Sequence, residues 1–116
     1  MAITRIQSNQ RMSQLVVHGG IAYLAGQVAL SAQGASVTDQ TRDVLARIDA
    51  LLAEAGSDKT KILAATIWLA DIRTFDEMNK VWDAWVPQGA TPARACVEGR
   101  MVAPQFAVEI MVTAAV

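Results

Sequence analysis

"KILAATIWLAD", residues 61–71, decides the fold. It is β-rich and nearly all apolar, and about half the length a membrane span needs. Such a run predicts a central strand covered on both faces. The next stretch, "TFDEMNKVWDAWVP" (74–87), changes period: Phe75, Met78, Val81, Trp82 and Trp85 recur at helical spacing and form a buried stripe. Thr74 and Glu77 match a capping box at its start, and Pro87 ends the pattern.

Working outward, "TDQTRDVLARIDALLAEAG" (38–56) is a second amphipathic helix. Val44, Leu45, Ile48, Leu51, Leu52 and Ala55 make its apolar face, Arg42, Asp49 and Glu54 lie off it, and Gly56 supplies the stop. "QLVVHGGIAYLAGQVAL" (14–30) reads as two strands divided by a His18-Gly19-Gly20 turn, with residues 3–8 as a possible short strand before them. "ARACVEG" (93–99) and "FAVEIMVTAAV" (106–116) close the chain as two strands joined by a loop containing Pro104. The order β-β-α-β-α-β-β, with two helices on one face of a mixed sheet, is a two-layer α+β domain spanning residues 1–116.

Composition narrows the function classes. With 53% hydrophobic and 18% charged residues and a mean hydropathy of +0.27, the chain is too apolar for disorder and greasy for a small monomer. Part of its surface is therefore expected to be covered by another copy. A net charge of −1, a pI near 5.7 and the lack of a basic tract leave nucleic acid binding without an electrostatic footprint. The N-terminal "MAITRIQSNQRMSQ" lacks a signal-peptide core, no run is long enough to enter a membrane, and a single cysteine excludes an internal disulfide, which together suit a cytoplasmic protein.

No phosphate-binding glycine loop, HExxH or CxxC is present, and one His and one Cys cannot build a conventional zinc site without carboxylates from elsewhere. His18 reads as a polar turn residue, because no GxSxG elbow accompanies its glycines. Cys96 reads as a small hydrophobe rather than a nucleophile served by His18, and the three tryptophans as core rather than a base-stacking platform. Arg94, in "TPARACVEG" (91–99), stands apart. Strand alternation puts Arg94, Cys96 and Glu98 on one face, with Glu98 roughly 13 Å away and out of comfortable pairing range. Glu109, in "FAVEIMV", is the other lone charge. The pair reads either as structural, an ion pair fixing strand register or a solvent-facing edge, or as an anion site in which Arg94 grips a carboxylate and Glu109 positions a water.

"YLAGQV" (23–28), "TFDEMNKVWDAW" (74–85), "PARACVE" (92–98) and "VEIMVTA" (108–114), in this order and spacing, resemble the reactive intermediate deaminase family, also called RidA or YjgF. The wording, including "RMSQ" near the start, looks like a divergent subfamily. The resemblance implies a chorismate-mutase-like fold, a homotrimer with clefts between subunits, and cofactor-free hydrolysis of enamines and imines to 2-keto acids and ammonia. By resemblance, Arg94 holds the substrate carboxylate and Glu109 the attacking water. Cys96 lines the cleft through its backbone N–H, Asn79 is the cleft asparagine of the second helix, and Gly26 belongs to the pocket wall. Two positions depart from the family pattern: Ala25 replaces a hydroxyl residue and Met12 a tyrosine, which makes the pocket more apolar and favours substrates from bulkier amino acids. A non-catalytic carboxylate binder is the alternative, and an RNA-cleaving or translation-inhibiting protein a weaker one.

Overall fold

The computed structural model describes residues 2–116. Seven strands, β1 (Thr4–Ser8), β2 (Ser13–His18), β3 (Ile21–Leu24), β4 (Gln27–Val28), β5 (Ile62–Leu69), β6 (Ala93–Glu98) and β7 (Val108–Ala115), form one sheet. Its order is β1-β2-β3-β7-β5-β6, with β4 pairing beyond β3 along β7. Two helices, α1 (Val37–Glu54) and α2 (Phe75–Trp85), complete the α+β fold. All pairings are antiparallel except β5 with β6, so the sheet is mixed as the pattern predicts.

Local chemistry places the elements. Gly19 and Gly20 carry φ of 61° and 79°, the left-handed pair that a tight two-residue hairpin between β2 and β3 demands. Ser36 caps α1 by accepting the Asp39 N–H. Gly56, at φ 74°, ends it, with the Ser57 N–H returning to the Leu52 carbonyl at 2.8 Å. The run after Leu24 breaks at Ala25-Gly26 before resuming as β4, an interruption the sequence pattern does not announce.

The expected capping box of α2 does not form. Thr74 sits at φ −87°, ψ 9°, outside the extended conformation a capping side chain needs, and its hydroxyl donates to the Asp71 carbonyl instead. Glu77 is free to act elsewhere: its carboxylate accepts both the backbone N–H and the hydroxyl of Thr38, at 2.9 and 3.0 Å, and pins the start of α1 to α2. At the other end Trp85 Nε1 donates to Asp49.

One face of the sheet carries the core. Ala65, Ile67 and Leu69 of β5 and Val108, Ile110, Val112 and Ala114 of β7 are buried against Val44, Leu45, Ile48 and Leu52 of α1 and Met78 and Trp82 of α2. The alternate residues look the other way, where no helix lies. There Tyr23, Val97 and Met111 are 40–48% exposed, and Trp68 and Glu109 are half-buried. The expectation that β5 is covered on both faces is therefore met on one face only within a single chain. Phe75 also departs from its expected place: at 37% exposed it leaves the buried stripe of α2.

Gln40 joins the helical layer to the β6–β7 loop. Almost fully buried, it donates to the carbonyls of Ala35 and Gln105 and accepts the Ala107 N–H at 2.8 Å. Its loss strands three backbone groups, so Gln40→Ala is expected to cost about 2–3 kcal/mol. Urea unfolding should show a lower midpoint with an unchanged slope.

Candidate functional site

Arg94 pairs in register with Ala65, which faces the helices, so its side chain emerges on the helix face at the edge strand of the sheet. There it meets α2. Nη1 donates to Asn79 Oδ1 at 2.7 Å, and the guanidinium lies 5.3 Å from the Trp82 ring centroid and 5.8 Å from that of Phe75. Phe75, Asn79 and Trp82 are spaced by four and seven residues, which puts them on one face of the helix. The site signal missed in sequence was this spacing: the two aromatics read as core flank the asparagine and together support the arginine.

No anion neutralises Arg94. Among the described residues the ion pairs are Arg42–Asp39, Arg47–Asp43 and Arg73–Asp71. Glu98 is engaged at the far end of β6, where it accepts the Ile72 N–H at 3.1 Å. Cys96 shares the arginine's face and is half-buried. Burial pushes its thiol up, partly offset by the Arg94 charge, so it is protonated and a poor nucleophile at neutral pH. His18 is on β2, four strand spacings or roughly 19 Å from β6 and on the opposite face. No Cys–His dyad can form within the chain.

Glu109 pairs in register with Trp68 and Val28 and looks out of the helix-free face. Burial alone raises its carboxyl above the usual range. Gly26 makes room for it, because a Cβ there would collide with Oε2 of Glu109. Ala25, next to it, donates its N–H to the Gln14 carbonyl and accepts from the Gln27 side chain.

The candidate residues thus fall into three places. Arg94, Asn79 and Cys96 form a group on the helix face, while Glu109, Gly26 and Ala25 gather around the opposite face. Met12 is apart from both, 40% exposed on the β1–β2 turn with its N–H donated to the Asn9 side-chain carbonyl. Registers place Arg94 and Glu109 two strands and three residues apart, roughly 14 Å between Cα atoms, with side chains on opposite faces. An intrachain Arg94–Glu109 ion pair, one of the sequence readings, is excluded. A surface hollow of about 620 Å³ lies beyond Glu98 against the 99–106 loop rather than over Arg94.

Electrostatics leave the helix-face group cationic and poised for an anion, and the opposite group supplies a carboxylate with a taste for a proton. Among the described residues, no cluster of three or more His, Cys, Asp or Glu gathers to hold a metal ion. No helix is long and apolar enough to cross a membrane.

Comparison with known proteins matches the family model described as Endoribonuclease L-PSP over residues 2–116. A RutC family protein of Escherichia coli is 43% identical over 116 residues, covering 100% of both chains. Among solved structures, a YjgF family member from Neisseria meningitidis superposes with a TM-score of 0.95 at 47% identity, covering 99% of this chain and 95% of that one. A Rid family protein of Yersinia pestis reaches 0.89 at 29% identity, covering 99% and 100%.

Glu109 offers a pH test. A carboxyl raised in the folded state favours folding when protonated, a contribution present below the ordinary carboxylate pKa and lost as pH rises through the folded value. Glu109→Gln should therefore melt higher than the parent near pH 7, and the gap should close towards about pH 4. Paired thermal melts at the two pH values check this.

Proposed function

The chain belongs to the Endoribonuclease L-PSP family, which includes the YjgF, RutC and Rid proteins, and from that premise we propose that it hydrolyses 2-imino and enamine acids to 2-keto acids and ammonia. The observation that carries this reading is Arg94. Its guanidinium is held by Asn79 over two aromatic rings, has no carboxylate partner, and keeps N–H groups free for an incoming one. An unneutralised arginine in a fixed cradle is what recognition of a small carboxylate requires.

The chemistry follows from the groups. Arg94 holds the substrate carboxylate and fixes the neighbouring imine carbon in place. Glu109 accepts a proton from a water whose oxygen attacks that carbon, while the C=N electron pair moves to nitrogen, which takes that same proton from the Glu109 carboxyl. The resulting carbinolamine then expels ammonia: the Glu109 carboxylate takes the hydroxyl proton and delivers it to nitrogen, the C–N bond breaks, and the C=O of the keto acid forms. Burial raises the Glu109 carboxyl above its ordinary value, which favours its taking up a proton in this exchange. An imine carbon is already electrophilic, so orientation supplies most of what is needed and no covalent nucleophile or cofactor has a step to perform. Asn79 orients the arginine. Cys96 takes part through its backbone, since burial keeps its thiol protonated. Ala25 and Met12 make the cleft less polar than a hydroxyl-lined one, which favours substrates from bulkier amino acids.

Because Arg94 and Glu109 lie on opposite faces, one chain does not complete the site. The bare apolar face around Tyr23, Val97 and Met111 gives the second copy somewhere to dock, and we assign a closed homotrimer in the cytoplasm with clefts between subunits. The activity named in the family description, RNA cleavage, finds little support in a chain of net charge −1 without a basic patch.

Arg94→Ala should abolish accelerated keto-acid release from imines generated by an amino acid oxidase, with the fold and melting temperature kept. Arg94→Lys should retain charge but lose the two-pronged grip, lowering kcat/KM by roughly 10-fold or more. Unchanged rates in Arg94→Ala would remove this function.

A further inference from the structure

Phe75 takes no part in the bond changes of the proposed reaction, and its position is not that of a core residue. It opens α2, is 37% exposed, and keeps its ring 5.8 Å from the Arg94 guanidinium, which Trp82 approaches to 5.3 Å from one helical turn and more further along. Trp82 is buried and belongs to the core in any case. Phe75 does not bury enough to explain itself by packing.

An arginine on an edge strand has several torsions and wide freedom, and most of that freedom must be given up to meet a carboxylate with two parallel hydrogen bonds. The hydrogen bond to Asn79 fixes one nitrogen, Nη1. A single bond leaves the plane of the guanidinium free to swing about it. Aromatic faces remove that freedom, because a guanidinium is attracted to the negative face of a ring and lies against it. With Nη1 tied to Asn79 and the rings of Trp82 and Phe75 beside it, the remaining N–H groups are left as the free edge.

We infer that Phe75 is a positioning residue: its ring, with Trp82, fixes the plane of the Arg94 guanidinium so that its free edge is set for a carboxylate before the ligand arrives. This rests on the reading of Arg94 as a carboxylate clamp and adds to it the aromatic face as the element that sets affinity. The effect belongs to binding. It appears in KM and in the dissociation constant of a keto acid, and leaves kcat nearly untouched, since Phe75 touches neither the water nor the imine carbon. The exposed edge of Phe75 also accepts a hydroxyl, so Phe75→Tyr keeps the aromatic face while Phe75→Leu keeps only the apolar bulk.

The test uses the full chain and pyruvate as the probe. Pyruvate binding by calorimetry and the Arg94 Nε–H resonance by NMR are measured for the parent, Phe75→Tyr, Phe75→Leu and Arg94→Ala. Phe75→Leu should weaken pyruvate roughly 2- to 5-fold, the factor a cation–π contact at an exposed site supplies, and Phe75→Tyr should restore it. The Nε–H resonance should carry a ring-current shift in the parent and Phe75→Tyr that shrinks in Phe75→Leu. Equal binding by the parent and Phe75→Leu overturns the inference, as does equal weakening by the leucine and tyrosine variants. If the parent binds pyruvate no better than Arg94→Ala, the clamp itself fails; the Nε–H shift then still decides whether the ring orders the guanidinium.

Discussion

The pleat of the sheet governs everything else in this protein. Side chains alternate between its faces, and Arg94 and Glu109, in the last two strands, fall on opposite sides of it. Arg94 looks towards the helices and Glu109 away from them. Moving β7 by one residue would bring Glu109 to the helix face and send buried side chains such as Ile110 and Val112 to the other. The register is therefore held by the core, and the separation of the two charges is held with it. No side-chain rearrangement can bridge it.

From this separation the functional account takes its form. The helix face supplies a cation with a prepared edge, and the bare face supplies a half-buried carboxylate seated against Gly26. Each half is local and rigid, built on strands or on a helix rather than on a mobile loop. In the proposed function the halves meet when copies associate across the apolar surface that the chain leaves uncovered, so that catalysis and assembly become one property.

Much of this was legible in the sequence, and the misses have physical causes. The run 61–71 gave the central strand because β-rich apolar residues are unambiguous when helices flank them, and Gly19-Gly20 and Gly56 marked a turn and a stop through φ angles other residues avoid. Thr74 and Glu77 misled because the capping pattern is a spacing, whereas the cap is a conformation, and Glu77 found stronger donors on Thr38. Phe75 was read as core because helical spacing tells which residues share a face but not where a neighbouring edge strand ends. The register between β5, β6 and β7, which separates Arg94 from Glu109, depends on pairing between strands far apart in the chain, such as Ala65 with Arg94 and Trp68 with Glu109, and left no local mark.

The central claim, that a working site takes Arg94 from one copy and Glu109 from another, is tested most directly by mixing two inactive proteins. Arg94→Ala and Glu109→Gln chains are unfolded together in equal amounts, refolded, and assayed for keto-acid release from an enzymatically generated imine. Random assembly gives about one quarter of the clefts an intact arginine from one copy and an intact glutamate from its neighbour, so about a quarter of the parent activity should return. Activity that stays at the level of the separate variants would contradict the account.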